Sequence, residues 1–178
     1  MIDEDGYRPN VGIIIVNKEG KLFWGKRVHQ DAWQFPQGGI RQSETPQQAV
    51  FRELKEEVGL EPKDVRVLGR TQEWLFYDLP KHLIRHNSYP VCIGQKQIWF
   101  MLGFEGGESS IDLNRHDTPE FEAWDWVEYW RPVQEVVNFK RSVYQQALTE
   151  LENVLERFWL NKHSGGILNN SALEDKVV

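Results

Sequence analysis

Short runs of apolar and β-branched residues, separated by turn residues, predict several β-strands along the chain. Residues 11–17 form the first run, and a turn at residues 18–21 joins it to a second predicted strand at residues 22–27. Residues 33–39, which follow, are dense in glycine and proline and predict a loop. The same pattern predicts further strands at residues 65–79, 95–104 and 123–127.

Two other segments show the longer repeat that is typical of helices. The first, residues 46–58, follows Thr45, a good N-cap residue, and Gln48 completes a capping box. Gly59 stands where a left-handed C-terminal cap belongs. The second predicted helix covers most of residues 132–160. Strands around one early helix, with a late helix to cover the sheet, predict a layered domain of the α/β or α+β class.

Length and composition narrow the class of protein. The 178 residues suit one domain with a sizeable core. The longest apolar run, residues 11–16, is far shorter than the roughly 18 residues that a membrane span needs. The acidic start and the single cysteine, Cys92, predict neither a secretory signal nor a disulfide framework. We therefore expect a cytoplasmic protein that does not contact membranes.

The charge of the chain argues against one class of partner. The formal net charge is −6, with 21 basic and 27 acidic residues, whereas binding to a long nucleic-acid duplex normally needs a positive surface. Residues 61–100 are less acidic than the rest, and they also contain His82 and His86. A small site that binds only the end of a nucleic acid is compatible with this distribution.

Three glutamates share one face of the first predicted helix. Glu53, Glu56 and Glu57 lie at positions i, i+3 and i+4, where like charges repel one another by roughly 0.2–0.5 kcal/mol per pair. One interpretation is a solvated acidic face, which would be common for an ordinary helix. The other is a site for a hard divalent cation such as Mg²⁺, which prefers oxygen ligands. The helix by itself does not distinguish these alternatives.

The residues before and within this helix form a longer motif. Gly38 is followed after five residues by Glu44, and after seven more by the run Arg52-Glu53-Leu54-Lys55-Glu56-Glu57-Val58-Gly59-Leu60. This pattern, residues 38–60, matches every fixed position of the Nudix box, and its length makes a chance match very improbable. The chain therefore resembles the Nudix hydrolases, and we place the Nudix domain at residues 6–149. The end of the last helix and a polar tail fill residues 150–178.

The resemblance implies a fold, a reaction and a set of roles. Nudix hydrolases have a mixed sheet sandwiched between helices, and they cleave nucleoside diphosphates linked to another group with Mg²⁺ or Mn²⁺. The resemblance implies that glutamates of the box bind the metal and that the carbonyl of Gly38 faces it. It also implies that Arg52, through an ion pair, and Glu44 hold these glutamates in position. Glu53 or Glu57 would accept the proton of the attacking water, and the sequence leaves that choice open. The implied metal ligands in the box are Glu53, Glu56 and Glu57.

Segments outside the box resemble one branch of the family. They include Trp33 to Gly39, Gly94 to Phe100 and Val136 to Tyr144. Enzymes of that branch remove pyrophosphate from the 5′-triphosphate end of RNA, which promotes messenger decay, and near relatives hydrolyse dinucleoside polyphosphates. The resemblance thus predicts triphosphorylated RNA as the substrate, with dinucleoside polyphosphates as the alternative. Its third possibility, a nucleotide-binding module without activity, is disfavoured because the box glutamates are intact. No protein partner is predicted.

The remaining candidates lie far apart in the sequence. Glu120 is a candidate metal ligand outside the box, although spacing alone would make it an ordinary exposed glutamate. Phosphates need cations and a base needs a stacking surface. Phe139 and Lys140 could serve these two needs, or they could be a core residue and a solvated one. The predicted substrate-binding residues are Arg8, Arg27, Tyr77, Gln95, Phe139 and Lys140, with Lys96 as a further candidate.

Overall fold

A computed structural model of the chain describes residues 2–87 and 89–164, with side chains up to residue 157. The described part contains a mixed sheet with the strands β1 (Tyr7–Val16), β2 (Leu22–Arg27), β3 (Trp33–Gln34), β4 (Gln37–Gly39), β5 (Val65–Arg70), β6 (Leu75–Asp78), β7 (Gly94–Phe104) and β8 (Phe121–Val127). Its helices are α1 (Pro46–Val58), α2 (Arg131–Glu135) and α3 (Arg141–Ser164). Residues of the predicted polar tail beyond 164 lie outside the described part.

The centre of the sheet is a parallel pair, β1 and β7, whose registers run from Tyr7 opposite Gly94 to Val16 opposite Gly103. All other pairings are antiparallel. Strand β4 pairs with the first half of β1, and β6 pairs with the first half of β7. These four strand segments therefore meet at one end of the sheet.

Side chains alternate between two cores along the central strands, as the two-residue period of a strand requires. Ile13 and Ile15 pack on one face of the sheet with Val50 and Leu54 of α1. Ile14 packs on the other face with residues of α3. The sheet is thus sandwiched between helices, and the predicted α+β class is confirmed.

Helix α1 begins and ends where the sequence predicts. The Thr45 hydroxyl accepts a hydrogen bond from the Gln48 N–H, and the Gln48 side chain accepts one from the Thr45 N–H. Gly59 adopts the left-handed conformation, with φ of 78°. The apolar residues of α1 face the sheet. The glutamates of α1 lie outside this apolar face.

Three predicted elements differ from the structure. The structure has two strands, β5 and β6, where the sequence predicts a single strand at residues 65–79. The regular strand ends at Thr71, whose N–H donates to the Trp99 carbonyl and whose hydroxyl accepts a hydrogen bond from the Trp99 N–H. The loop predicted at residues 33–39 contains β3 and β4. The long helix predicted at residues 132–160 is divided into α2, a 3-10 turn at Asn138–Lys140, and α3. No helix in residues 2–87 and 89–164 is long and apolar enough to cross a membrane.

Candidate active site

A cavity of about 470 Å³ opens at the end of the sheet where β1, β4, β6 and β7 meet. Glu120, which immediately precedes β8, and the 3-10 turn before α3 complete its wall. The cavity is lined by Arg8, Asn10, Arg27, Gln34, Gln37, Gly38, Gly39, Glu53, Glu57, Tyr77, Leu79, Leu83, Gln95, Glu120, Phe139 and Lys140.

Strand β4 and helix α1 approach each other closely at Gly38. A Cβ atom at this position would overlap the carboxylate of Glu53. A side chain at this position would displace the Glu53 carboxylate, and residue Glu53 is itself only 8% exposed. This close approach brings the Gly38 backbone to the cavity beside Glu53 and Glu57.

Arg52 holds the carboxylates at the start of the site in place. Its guanidinium contacts the Glu44 carboxylate through Nε at 2.8 Å and through Nη2 at 2.9 Å. Nη1 contacts Glu53 and lies 3.3 Å from Glu56, while Nη2 also donates to the Gly39 carbonyl at 2.8 Å. These contacts lower the pKa of Glu44 to about 2, chiefly through hydrogen bonding to Arg52. Arg52 thus uses its hydrogen-bond donors for contacts within the protein.

Glu57 has a different environment. One carboxylate oxygen accepts a hydrogen bond from the Gln37 N–H at 3.1 Å. Burial raises the pKa of Glu57 well above its usual range, and repulsion by Glu53 and Glu120 raises it further. Burial also raises the pKa of Glu53, against the effect of Arg52. This corner of the cavity holds more negative charge than its cations neutralise.

Glu120 reaches the same cavity from the start of β8 and forms an ion pair with Arg27. The Arg27 Nε donates to Glu120 Oε1 at 3.0 Å, and Nη2 lies 2.8 Å from the same oxygen. A predicted metal ligand and a predicted substrate contact therefore bind each other in this state. The pair is about one-third exposed, so solvent screens it and its exchange for other partners is inexpensive.

The donor set suits a divalent cation, although the arginines occupy part of it. Carboxylates of Glu53, Glu57 and Glu120 border one cavity, and oxygen ligands are what Mg²⁺ and Mn²⁺ prefer. Among the described residues, no three His, Cys, Asp or Glu side chains are already arranged to hold a metal ion. The arginines contact Glu53 and Glu120 through Oε1 of each carboxylate, and these contacts leave the second oxygen, Oε2, for a cation.

Lys140 is a buried cation held by neutral groups. Its ammonium donates to Oε1 of Gln34 at 3.0 Å and to Oε1 of Gln37 at 3.1 Å, and only 7% of the residue is exposed. Burial lowers the pKa of Lys140 to about 8, and the nearby Arg27 charge contributes. Because amide oxygens do not neutralise an ammonium, its positive charge remains available to an anion in the cavity.

Aromatic and cationic groups also line the cavity. The Tyr77 and Phe139 rings lie 5.8 Å apart, and the Lys140 Nζ is 5.8 Å from the centre of the Tyr77 ring. Burial raises the pKa of Tyr77, so its hydroxyl keeps its proton. The Arg8 guanidinium approaches Gly39 so closely that a Cβ there would meet Nη2 at 2.5 Å.

Most of the residues predicted from the sequence do meet at this cavity. Three predicted residues do not line it: Glu44, Arg52 and Glu56. They contact one another instead, because Arg52 hydrogen-bonds to both glutamates. The prediction for Lys96 is wrong, because its ammonium pairs with Asp3 at 2.6 Å and does not line the cavity. The predicted residues that line the cavity are Arg8, Arg27, Gly38, Glu53, Glu57, Tyr77, Gln95, Glu120, Phe139 and Lys140. Their chemical roles stay predictions.

Sequence reasoning predicted Gln95 but missed the other amide side chains that line the cavity, those of Asn10, Gln34 and Gln37. Asn10 is 3% exposed and accepts a hydrogen bond from Gln97 at 2.9 Å, while Gln34 is 5% exposed. A buried amide in a strand is unusual enough to suggest a polar partner, and this was the available signal. The identity of that partner depends on contacts between distant segments, which no local pattern reveals.

Comparison with known proteins assigns the family. The NUDIX domain family matches residues 6–147, which is most of the chain. The chain belongs to the Nudix family. Nudix hydrolases in general use divalent metal cations, which agrees with the carboxylates found at the cavity.

Several curated Nudix relatives are similar over nearly their whole length. An RNA pyrophosphohydrolase of Hydrogenovibrio crunogenus is 76% identical over 165 residues, which cover 93% of this chain and 100% of the relative. An RNA pyrophosphohydrolase of Thioalkalivibrio sulfidiphilus is 61% identical, with 87% of this chain and 90% of the relative covered.

Solved Nudix structures share the fold at low identity. The E. coli dihydroneopterin triphosphate pyrophosphohydrolase superposes with a TM-score of 0.64 at 21% identity, covering 81% of this chain and 98% of that one. A C. elegans Ap4A hydrolase superposes with a TM-score of 0.58 at 17% identity, covering 86% and 98%. These similarities support the sandwich fold alone.

Proposed function

We propose that this Nudix chain is an enzyme that hydrolyses the 5′-triphosphate end of RNA, releasing pyrophosphate and leaving a 5′-monophosphate. The observation that carries the proposal is the composition of one cavity. Carboxylates line it together with Lys140, Arg8 and an aromatic pair. Curated relatives named RNA pyrophosphohydrolase, at up to 76% identity, support the choice of substrate.

The carboxylates that line the cavity are the proposed metal ligands. Glu53, Glu57 and Glu120, with Glu56 and the Gly38 carbonyl in support, would hold Mg²⁺ or Mn²⁺. Such a cation lowers the charge of the phosphates and the pKa of a bound water. Arg52 and Glu44 would keep the start of α1 in position.

The chain's own residues would carry out the rest of the reaction. Water adds across the anhydride between the α- and β-phosphates, so that one P–O bond forms and one breaks. Glu53 or Glu57 accepts the proton of the water. Glu53 already contacts Arg52, which makes it the weaker base of the two, whereas burial and the charges of Glu53 and Glu120 raise the pKa of Glu57.

The cationic and aromatic residues that line the cavity would bind the substrate. Lys140 and Arg27 are proposed to bind the phosphates, since each presents its charge at the cavity wall. Arg8 and Phe139 are proposed to hold a base, and Tyr77 and Gln95 would complete this wall. The product would be an RNA open to further decay, which fits a cytoplasmic enzyme of messenger turnover.

The direct test is the release of labelled phosphate from RNA. RNA labelled at its γ-phosphate is incubated with the full chain and Mg²⁺, and the expected product is labelled pyrophosphate. The matched control is Glu57→Gln, which keeps size and removes charge, and we expect it to lower kcat at least about 100-fold. Absence of labelled pyrophosphate or orthophosphate at any enzyme concentration would refute the proposal.

A second candidate is the hydrolysis of dinucleoside polyphosphates. The same cavity would accept their phosphate chain and one base, and an Ap4A hydrolase has the same fold. Competition between diadenosine tetraphosphate and triphosphorylated RNA separates the two through their kcat/KM values. A preference for the dinucleotide by orders of magnitude would make it the primary substrate.

A further inference from the structure

The connection between β6 and β7 forms a basic strip that begins inside the cavity. Leu79 and Leu83 line the cavity, and the 3-10 turn Lys81–Leu83 carries the chain outward between them. The Leu83 N–H donates to the Pro80 carbonyl at 2.8 Å, which defines the turn. Residues 81–87 then continue along the surface.

The charge of this strip is opposite to that of the whole chain. Residues 79–104 contain no Asp or Glu, although the chain carries a net charge of −6. Lys81, His82 and Arg85 are all exposed on the strip. Within the described part of the chain, neither Lys81 nor His82 forms an ion pair. Lys81 is therefore not needed to neutralise a carboxylate among the described residues.

An exposed apolar side chain accompanies the cations. Leu83 is 46% exposed although it also lines the cavity, so it lies at the rim where the strip begins. Proteins that bind single-stranded nucleic acid combine a positive track for phosphates with apolar or aromatic surfaces for bases. The strip offers both, and it is continuous with the cavity.

We propose that residues 79–87 bind the body of a single-stranded RNA, meaning the nucleotides that follow the 5′ end. This inference rests on the proposed function, because it extends that substrate beyond the cavity. Lys81 and Arg85 contact phosphates, and Leu83 contacts a base at the rim. The strip thereby distinguishes an RNA chain from a small polyphosphate, which does not extend past the rim.

The test compares substrates of two lengths. The full-length double variant Lys81→Ala, Arg85→Ala is assayed with a triphosphorylated RNA of about ten nucleotides and with a triphosphorylated dinucleotide. We expect kcat/KM for the longer RNA to fall about fivefold at low salt and that for the dinucleotide to stay within twofold. The slope of log kcat/KM against log salt should become shallower by about 1 for the longer RNA.

The matched control removes the same charge elsewhere. Lys18→Ala, Lys63→Ala takes two exposed lysines from outside the strip and the cavity. The proposal predicts no length-dependent change in this variant. An equal loss of kcat/KM for both RNA lengths in the strip variant would overturn the proposal that the strip binds RNA. The same length-dependent loss in the control variant would overturn it as well. If the wild-type chain cleaves neither RNA yet cleaves diadenosine tetraphosphate, the proposed function fails instead.

Discussion

Arg52 and Lys140 are two largely buried cations near the same cavity, and their partners differ in kind. Arg52 contacts the carboxylates of Glu44, Glu53 and Glu56. Lys140 contacts only amide oxygens among the polar groups described for it, those of Gln34 and Gln37. Arg52 is paired with carboxylates of the protein, whereas the hydrogen-bond partners described for Lys140 are neutral amides. We expect the first residue to stabilise the site and the second to bind substrate in it.

The largest expected effect comes from removing Arg52. Arg52→Gln leaves Glu44 and Glu53 partly buried without their counter-ion, and removal of one partner of a buried pair costs about 3–5 kcal/mol. We expect the free energy of unfolding to fall by about 3 kcal/mol in urea titrations. Arg41→Gln is the control, since Arg41 meets Glu56 at an exposed position and its loss should cost less than about 0.5 kcal/mol. Equal losses would show that the buried network is not special.

Lys140→Met should change binding more than stability. The ammonium would lose a charge-assisted contact with phosphate, a class of interaction worth about 1.5–3 kcal/mol. We expect kcat/KM for triphosphorylated RNA to fall by about 30-fold or more, while the urea midpoint changes little. A variant that unfolds but keeps its activity per folded molecule would reverse the assignment.

The surroundings of the two cations also predict two separate pH ranges in which stability rises with pH. The pKa of Glu44 is lowered to about 2 in the folded chain, so its contribution is complete above the unfolded value of 4.5 and is lost as the pH falls towards 2. The pKa of Lys140 is lowered from 10.5 to about 8, so the unfolded chain binds more protons between these values. Stability should therefore rise across that alkaline range.

Two variants isolate these trends in the free energy of unfolding. Glu44→Gln should flatten the acid branch, and Lys140→Met should flatten the alkaline one, each by about 1–2 kcal/mol. Measurements of urea unfolding at pH 3, 7 and 10 suffice. If both variants alter the same branch, the contrast between the two cations is wrong.

The smallest expected effect belongs to Gln34. Gln34→Leu removes one of the two amide oxygens that orient the Lys140 ammonium. We expect KM for triphosphorylated RNA to rise about fivefold and kcat to change less, because one hydrogen bond to the ammonium is lost while Gln37 still holds it. Gln47→Leu, at an exposed position outside the cavity, is the control. A kcat effect equal to that of Lys140→Met would indicate that Gln34 does more than position the lysine.

Local signals explain which elements could be predicted. Helix α1 was predicted to the residue, because its capping box and its Gly59 cap lie within the helix's own sequence. Strand β4 was missed, because three residues form a strand only when β1 lies beside them. The break after β5 was missed for the same reason, since Thr71 bonds a strand almost thirty positions away.

The same distinction applies to the site. The glutamates of α1 could be predicted, because the box fixes their spacing within one helix. The Lys140 contacts could not, because Gln34 lies 106 positions from it in the sequence. Sequence spacing left Lys140 as either a solvated residue or a substrate contact. The structure shows it buried, with its charge facing the cavity.

The parallel pairing of β1 with β7 has a consequence for how the protein is made. Arg8 lies opposite Gln95, so the two edges of the cavity are joined only after a loop of almost ninety residues has closed. On the ribosome, β1 must wait for β7 to emerge before it can pair. The cavity is thus among the last parts to assemble, and a chain truncated before residue 94 would have the complete Nudix box but no site.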